Sequence, residues 1–450
     1  MILKRLYNDN LAHASYLIGC PECGEAIVID PNRDIELYVE AAAKEKLKIS
    51  AVTETHIHAD YLSGSRELAQ RTGAKLYLSG EGPKDWQYAF EGERIKEGDS
   101  IAIGRIRFDV LHTPGHTPEH ISFLITDEAA SPEPQALFSG DFLFVGDVGR
   151  PDLLEVAAGE ENSAIPAAED LFRSLQRIKG LPEHILVWPA HGAGSACGKS
   201  LGGVPVSSIG YEKQTNWALR HENEAAFVDE VLTGQPEPPK YFAEMKRENR
   251  DGPAILGGQR NPPRQTHASG ALIIDVRDSD SYIAAHLPNV LHVPLGGSFI
   301  KWSGSLVPYR TDLLLIAETE ERAQLATWQL GLIGLDQVIG WCGPDVLDSK
   351  AAASHEQIFA RDIPSRPEAQ IVDVRGKDEW EEGHIPGSVN IPLSQLDSRA
   401  SELPKDKPLL VHCGGGTRSS IALSILENKG FSQLVNVEDG YAGYEASREA

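Results

Sequence analysis

Four segments carry residue types that hold metal ions. Thr55-His-Ile-His-Ala-Asp-Tyr61 follows the apolar run Ile49–Thr53 and offers His56, His58 and Asp60. Thr113-Pro-Gly-His-Thr-Pro-Glu-His120 presents His116 from a Pro/Gly turn. Leu137-Phe-Ser-Gly-Asp141 ends an apolar run on a carboxylate, and Val187-Trp-Pro-Ala-His-Gly192 ends another on His191. Imidazoles and carboxylates set at strand ends by a rigid sheet are what a metal centre requires. One strand-end histidine is ordinarily a capped or solvated side chain; four such segments in succession point to a shared site.

A second chemistry sits near the C-terminus, in Pro408-Leu-Leu-Val-His-Cys-Gly-Gly-Gly-Thr-Arg-Ser-Ser420. The pattern reads as a strand, a short loop and a helix start. Cys413 opens the loop and Arg418 closes it. Gly414, Gly415, Gly416 and Thr417 let successive backbone N–H groups turn inward as an anion cradle, and the helix N-terminus adds positive potential. A sulfur in that cradle is favoured as thiolate, ready to accept a sulfane sulfur.

The segment around this loop is duplicated. Ile273-Ile-Asp-Val-Arg277 recurs as Ile371-Val-Asp-Val-Arg375, an offset of 98, which also aligns His286 with His384 and Pro288 with Pro386. Two tandem α/β domains of about 100 residues each are the simplest reading. In the first copy Ala317 stands where Cys413 does, followed by Glu318, Glu320 and Glu321, with Arg322 matching Arg418. Without a nucleophile, and with glutamates where an anion should bind, that copy is expected to be catalytically silent.

The elements that position these residues follow from patterning. Before residue 192, β-like runs such as Ala26–Asp30, Lys75–Leu78 and Ile101–Val110 alternate with helical patterns over 36–46 and 65–72. The expectation is α/β or α+β with polar motifs at strand ends. The Gly- and Pro-rich stretch 234–265 reads as a linker flanking one short helix. Expected domains are 1–250, 251–350 and 351–450. A net charge of −24 over 450 residues argues against nucleic acid or an anionic membrane as partner. Five scattered cysteines suit a reducing cytosol rather than a disulfide framework. No apolar run is long enough to span a membrane, and the first ten residues do not read as a signal peptide.

The histidine motifs resemble those of the metallo-β-lactamase superfamily over roughly residues 10–250, implying an αββα sandwich. Tyr61 departs from the pattern of the two-metal hydrolases, which place a further metal-binding histidine there. The sequence is more similar to the persulfide dioxygenases of that superfamily. This resemblance implies a mononuclear Fe(II) held by His56, His116 and Asp141, the two-imidazole, one-carboxylate set suited to O₂ chemistry. It places His58, Asp60 and His191 around the metal; in zinc relatives some of these are direct ligands. Val145–Leu153 would bring Arg150 to the metal mouth to hold an anionic part of a thiol carrier, with a surface ion pair as the bland alternative. Ser208–Asn216, with Tyr211, also looks like that family and suggests substrate contact. Cys197 is either a sulfur relay or a buried small hydrophobe. Cys20 and Cys23 form a lone CxxC and read as hairpin-loop thiols; Cys342 reads as structural.

The Cys413 loop, with Asp373-Val-Arg375 and Glu379–Gly387, resembles the rhodanese sulfurtransferases. Together the resemblances imply oxidation of a low-molecular-weight thiol persulfide by O₂ to sulfite and thiol, coupled through a Cys413 persulfide to making or using thiosulfate, in a cytoplasmic homo-oligomer. The rival readings are a zinc-dependent thioester hydrolase of glyoxalase II type and a non-enzymatic sulfur carrier with a degenerate metal domain.

Overall fold

The computed structural model describes residues 1–156, 162–199, 201–258, 260–268, 270–348 and 352–449. The boundary expected at 350/351 lies outside the described residues. Two compact units are formed: Met1–Gly258 with Leu332–Gly334, and Gln259–Gly331 with Leu335–Ala450.

The first unit has two six-stranded sheets. One orders β1 (Ile2–Asn8), β2 (His13–Cys20), β3 (Glu25–Ile29), β4 (Lys48–Thr53), β5 (Lys75–Ser79) and β6 (Glu93–Ile95). The other orders β7 (Ser100–Ile103), β8 (Ile106–His112), β9 (Ile121–Asp127), β10 (Ala136–Gly140), β11 (Leu186–Pro189) and β12 (Ser207–Ser208), sequential from one edge. The run Ile101–Val110 is therefore two strands, not one. Gly104, at φ +58°, turns the chain between β7 and β8 into an antiparallel pair, a conformation that glycine adopts without strain.

Alternation along the strands builds three apolar layers. Tyr16, Ile18, Ile27 and Ile29 of the first sheet and Phe108, Val110, Phe123 and Phe138 of the second share one buried cluster between the sheets. The opposite face of the first sheet, through Leu17, Val28 and Val52, packs on Ile35 and Tyr38 of the helix Ile35–Lys44 and Leu68 of Ser65–Thr72. That of the second, through Leu137 and Val187, packs on Leu171 and Leu175 of Ala164–Ile178. This is the αββα sandwich that the sequence implies. Each such fully buried side chain contributes about 1.5–3 kcal/mol, so the strand ends are rigidly placed.

The second unit has two sheets. One orders β14 (Leu291–His292), β13 (Leu272–Asp275), β15 (Leu313–Ile316) and β16 (Val338–Cys342). The other orders β17 (Glu356–Ile358), β21 (Leu434–Val437), β20 (Leu409–His412), β18 (Gln370–Asp373) and β19 (Val389–Asn390). Among the described residues the strand pairings of both sheets are parallel. β13–β16 correspond in order to β18–β21, so the repeat in sequence is a repeat in topology. It extends to side chains: Arg277 forks onto Asp275 and donates to Ala285 O, as Arg375 does to Asp373 and Gly383 O. Among the described residues no helix is long and apolar enough to cross a membrane.

Candidate functional site

The metal-type residues lie at one end of the sandwich. His56, His58 and Asp60 follow β4, His116 lies in the β8–β9 loop, Asp141 follows β10, and His191 follows β11. All six are buried.

Each ring is oriented by a partner on its far nitrogen. His116 Nδ1–H donates to Arg150 O at 3.1 Å. His56 Nδ1–H donates to Thr55 Oγ1 at 2.9 Å, and Thr55 Oγ1–H donates in turn to Asp30 Oδ2 at 2.9 Å. These bonds fix the tautomers so that both Nε2 lone pairs face Asp141. His56 Nε2 is 3.7 Å and His116 Nε2 3.5 Å from Asp141 Oδ2. His56 Nε2 and Asp141 Oδ2 are buried without a hydrogen-bond partner. Buried polar groups are rarely left so, because each unmade bond costs about 1–3 kcal/mol. Ligands about 2.0–2.2 Å from a tetrahedral metal sit about 3.4 Å apart. The convergence of His56, His116 and Asp141 thus fits one metal ion.

Burial holds the His56 and His116 imidazoles below their ordinary pKa, which keeps the ligand form neutral. Burial alone would raise the Asp141 pKa; His191 and the neighbouring imidazoles reverse this and hold it well below the carboxylate range. His191 bridges two carboxylates, with Nδ1 2.7 Å from Asp141 Oδ1 and Nε2 2.7 Å from Asp60 Oδ2. Those carboxylates outweigh burial and raise its pKa well above the usual value. His58 Nε2 lies 3.2 Å from Asp30 Oδ1. Tyr61 is buried, its ring on His13 at 4.2 Å and on His58 at 4.6 Å, and its hydroxyl reaches Asp30 O at 3.4 Å.

Cys197 is buried beside Asp60 and His191, and these three form a second group with metal-binding atoms close together. Burial, then Asp60 and Asp141, push its thiol well above the usual pKa. Arg150 takes the ion-pair alternative, though inside the protein rather than on its surface. It is buried, with Nε and Nη2 forked onto Asp152 at 2.9 and 2.6 Å, because a carboxylate two residues away reaches both donors. Tyr211 is exposed on the helix Ile209–Thr215 and lines a groove with Val145, Val204 and Val206; no metal-type side chain named above is in that lining. Cys20 ends β2 and Cys23 occupies the following turn.

Several residues that serve the site carried no assignable role in sequence. His120 Nε2 accepts from the Asp141 backbone N–H at 3.1 Å, and its Nδ1 bonds Thr113 Oγ1 at 2.8 Å. His13 is buried between Tyr61 and His191 with neither ring nitrogen bonded. Asn249 lies on the helix Phe242–Asp251, which belongs to the first unit. Its side chain accepts from Ser63 N–H at 2.9 Å and donates to His58 O and Tyr61 O at 2.7 Å each, clamping the metal loop.

In the second unit, Cys413 follows β20 and the helix Thr417–Asn428 follows the loop. The Gly416 N–H donates to Cys413 Sγ at 3.1 Å, with Gly416 at φ +96°. The guanidinium of Arg418 is forked onto Glu379 at 2.5 and 2.8 Å. Tyr441 N–H and Ala442 N–H hold Cys413 O and Gly414 O at 2.7 and 3.2 Å. A Cβ on Gly440 would lie 2.4 Å from Cys413 O, so this backbone must pass close beneath the loop. In the first copy, Ala317 follows β15 and Arg322 Nε donates to Glu318 Oε2 at 2.6 Å.

The αββα sandwich with a histidine–carboxylate centre at its strand ends defines a metal-dependent fold class, joined here to a parallel α/β unit with a cysteine loop. The family models for the metallo-beta-lactamase superfamily and the rhodanese-like domain match residues 8–191 and 358–447. A solved metallo-beta-lactamase from Staphylococcus aureus subsp. aureus COL is 44% identical, with a TM-score of 0.73, over 76% of this chain and 99% of that one. The chain belongs to the metallo-β-lactamase superfamily. It is 35% identical to a hydroxyacylglutathione hydrolase of Polaromonas sp. over 42% of this chain and 66% of that protein. It is 28% identical to the mitochondrial persulfide dioxygenase ETHE1 of Bos taurus over 48% of this chain and 75% of that protein. The chain thus spans about two-thirds of the hydrolase.

Proposed function

We propose that the protein oxidises a low-molecular-weight thiol persulfide with O₂ and passes sulfane sulfur through Cys413. One observation carries the reading: the convergent His56–His116–Asp141 set, with Tyr61 packed on His13 and His58 where two-metal hydrolases place a further histidine, in the same chain as a cysteine cradle. The overall first reaction, R–S–SH + O₂ + H₂O giving R–SH, sulfite and two protons, balances without another oxidant. Fe(II) held by the three residues would supply the redox chemistry. The chain's part is positioning. Arg150 O and the Thr55–Asp30 relay aim the two imidazoles, His120 fixes the backbone of Asp141, and burial of the cluster limits water.

In the second reaction Cys413 thiolate attacks the outer sulfur of a persulfide, and R–SH leaves. Sulfite then attacks the outer sulfur of the Cys413 persulfide; the S–S bond breaks, and thiosulfate and Cys413 thiolate result. Gly416 N–H and the helix N-terminus stabilise the anionic sulfur throughout. The first repeat, with Ala317 and a neutralised Arg322–Glu318 pair, is read as a silent scaffold.

A second reading is a zinc-dependent thioester hydrolase. It is favoured by the Asp60–His191–Cys197 group, a candidate second metal position, and by similarity to the hydroxyacylglutathione hydrolase. The test is O₂ uptake by anaerobically Fe(II)-loaded protein given glutathione persulfide or coenzyme A persulfide, with sulfite and thiosulfate quantified. Uptake with sulfite supports the dioxygenase. Zinc-supported thioester hydrolysis without uptake replaces it with the hydrolase.

A further inference from the structure

The histidine aligned between the repeats is used differently in each. In both copies its Nδ1–H donates to the carbonyl of the aromatic residue four positions earlier: His286 to Tyr282 O at 2.8 Å, His384 to Trp380 O at 3.0 Å. This leaves Nε2 with its lone pair. In the second copy His384 is exposed. In the first, His286 is buried, and its Nε2 faces Glu427 in the last turn of the helix Thr417–Asn428, 3.3 Å and 3.5 Å from the two carboxylate oxygens.

His355, just before β17, stacks on His286 at 4.6 Å between ring centres. Its Nε2 is buried without a hydrogen-bond partner, and so is Glu427 Oε2. One ligand-type atom from each of His286, His355 and Glu427 lies within 4.8 Å of the others. A His286–Glu427 ion pair, which reaches both carboxylate oxygens, would still leave the buried His355 nitrogen unsatisfied, at about 1–3 kcal/mol. A cation at the point they share satisfies all three. The Nδ1–carbonyl bond on His286 is the usual outer support of a metal-bound imidazole.

We propose that His286, His355 and Glu427 bind a divalent transition-metal ion of the zinc class, with water completing four-coordination. Two imidazoles and one carboxylate suit this ion. The ion ties the first repeat and the segment before β17 to the helix that begins at the Cys413 loop. Its role is structural, and it uses none of the residues of the first unit's metal centre.

The experiment uses the full chain carrying His116→Ala and His191→Ala, which remove a ligand from each candidate metal position of the first unit, stripped with chelator and titrated with Zn(II) or Co(II). We expect one equivalent bound, with the visible absorption of four-coordinate Co(II), and at least a hundredfold weaker binding when His355→Gln or Glu427→Gln is added. Circular dichroism of each variant checks folding. Equal binding with and without His355→Gln and Glu427→Gln overturns the proposal, as does the absence of any bound equivalent in the folded His116→Ala, His191→Ala chain. In the otherwise unaltered chain, His355→Gln should leave O₂ uptake unchanged and lower the thermal transition of the second unit only when metal is present. A transition lowered equally with and without metal overturns the clamp.

Discussion

At the scale of single residues, the first centre is a set of lone pairs aimed by partners outside it. His116→Ala removes one of three converging atoms; the metal of the first centre and O₂ uptake should both be lost. Cys413→Ser should leave uptake intact and abolish thiosulfate formation. An oxygen electrode and thiosulfate quantification on the two variants check this double dissociation. Asp30→Asn is a finer probe. Asp30 accepts from Thr55 N at 2.7 Å and from Thr55 Oγ1 at 2.9 Å, and Thr55 aims His56. Changing such an outer support typically weakens metal affinity about 10–100-fold. The expected result is a shift of that size in a competitive chelator titration, with little change in secondary structure. Unchanged affinity would show that His56 is aimed by packing alone.

At the scale of elements, the strand ends are fixed by cores but the loops need clamps. Asn249→Ala would leave Ser63 N–H, His58 O and Tyr61 O without their side-chain partner at a buried position. The predicted cost is roughly 2–4 kcal/mol, drawn from about 1–3 kcal/mol per unsatisfied group with partial relaxation. It should appear in denaturant melts of the first unit together with weaker metal binding. Gly440→Ala is the counterpart in the second unit. The added Cβ meets Cys413 O at a φ of +57°; sulfur transfer should fall while O₂ uptake stays. These clamps also show where sequence reading stops. His56, His116, Asp141 and the Cys413 loop were legible because each sits in a short motif with its own spacing. Asn249 was not, since it acts on residues 58–63 from nearly 190 positions away. His120 was visible in its motif, but its role depends on a contact with Asp141 that only the sheet order creates. Arg150 left two readings open in sequence, an anion site or an ion pair, and local geometry gives its fork to Asp152.

At the scale of the whole molecule, the two units each have their own sheets and core, and each proposed half-reaction belongs to one of them. Sulfite is a small, strongly hydrated dianion or monoanion near neutral pH, stable enough to leave one site and diffuse to another. If it travels through solvent, the two activities need not share a chain. A mixture of His116→Ala chains, which keep Cys413, and Cys413→Ser chains, which keep the first centre, should then convert thiol persulfide and O₂ to thiosulfate, though neither does so alone. The mixture should approach the unmutated chain as protein concentration rises, because capture of free sulfite becomes faster. A trap for free sulfite should suppress thiosulfate equally in the mixture and in the unmutated chain. If instead the unmutated chain resists the trap and the mixture makes only sulfite, the product is handed over within one chain or one assembly. The fusion would then serve direct transfer rather than the mere co-production of two catalysts.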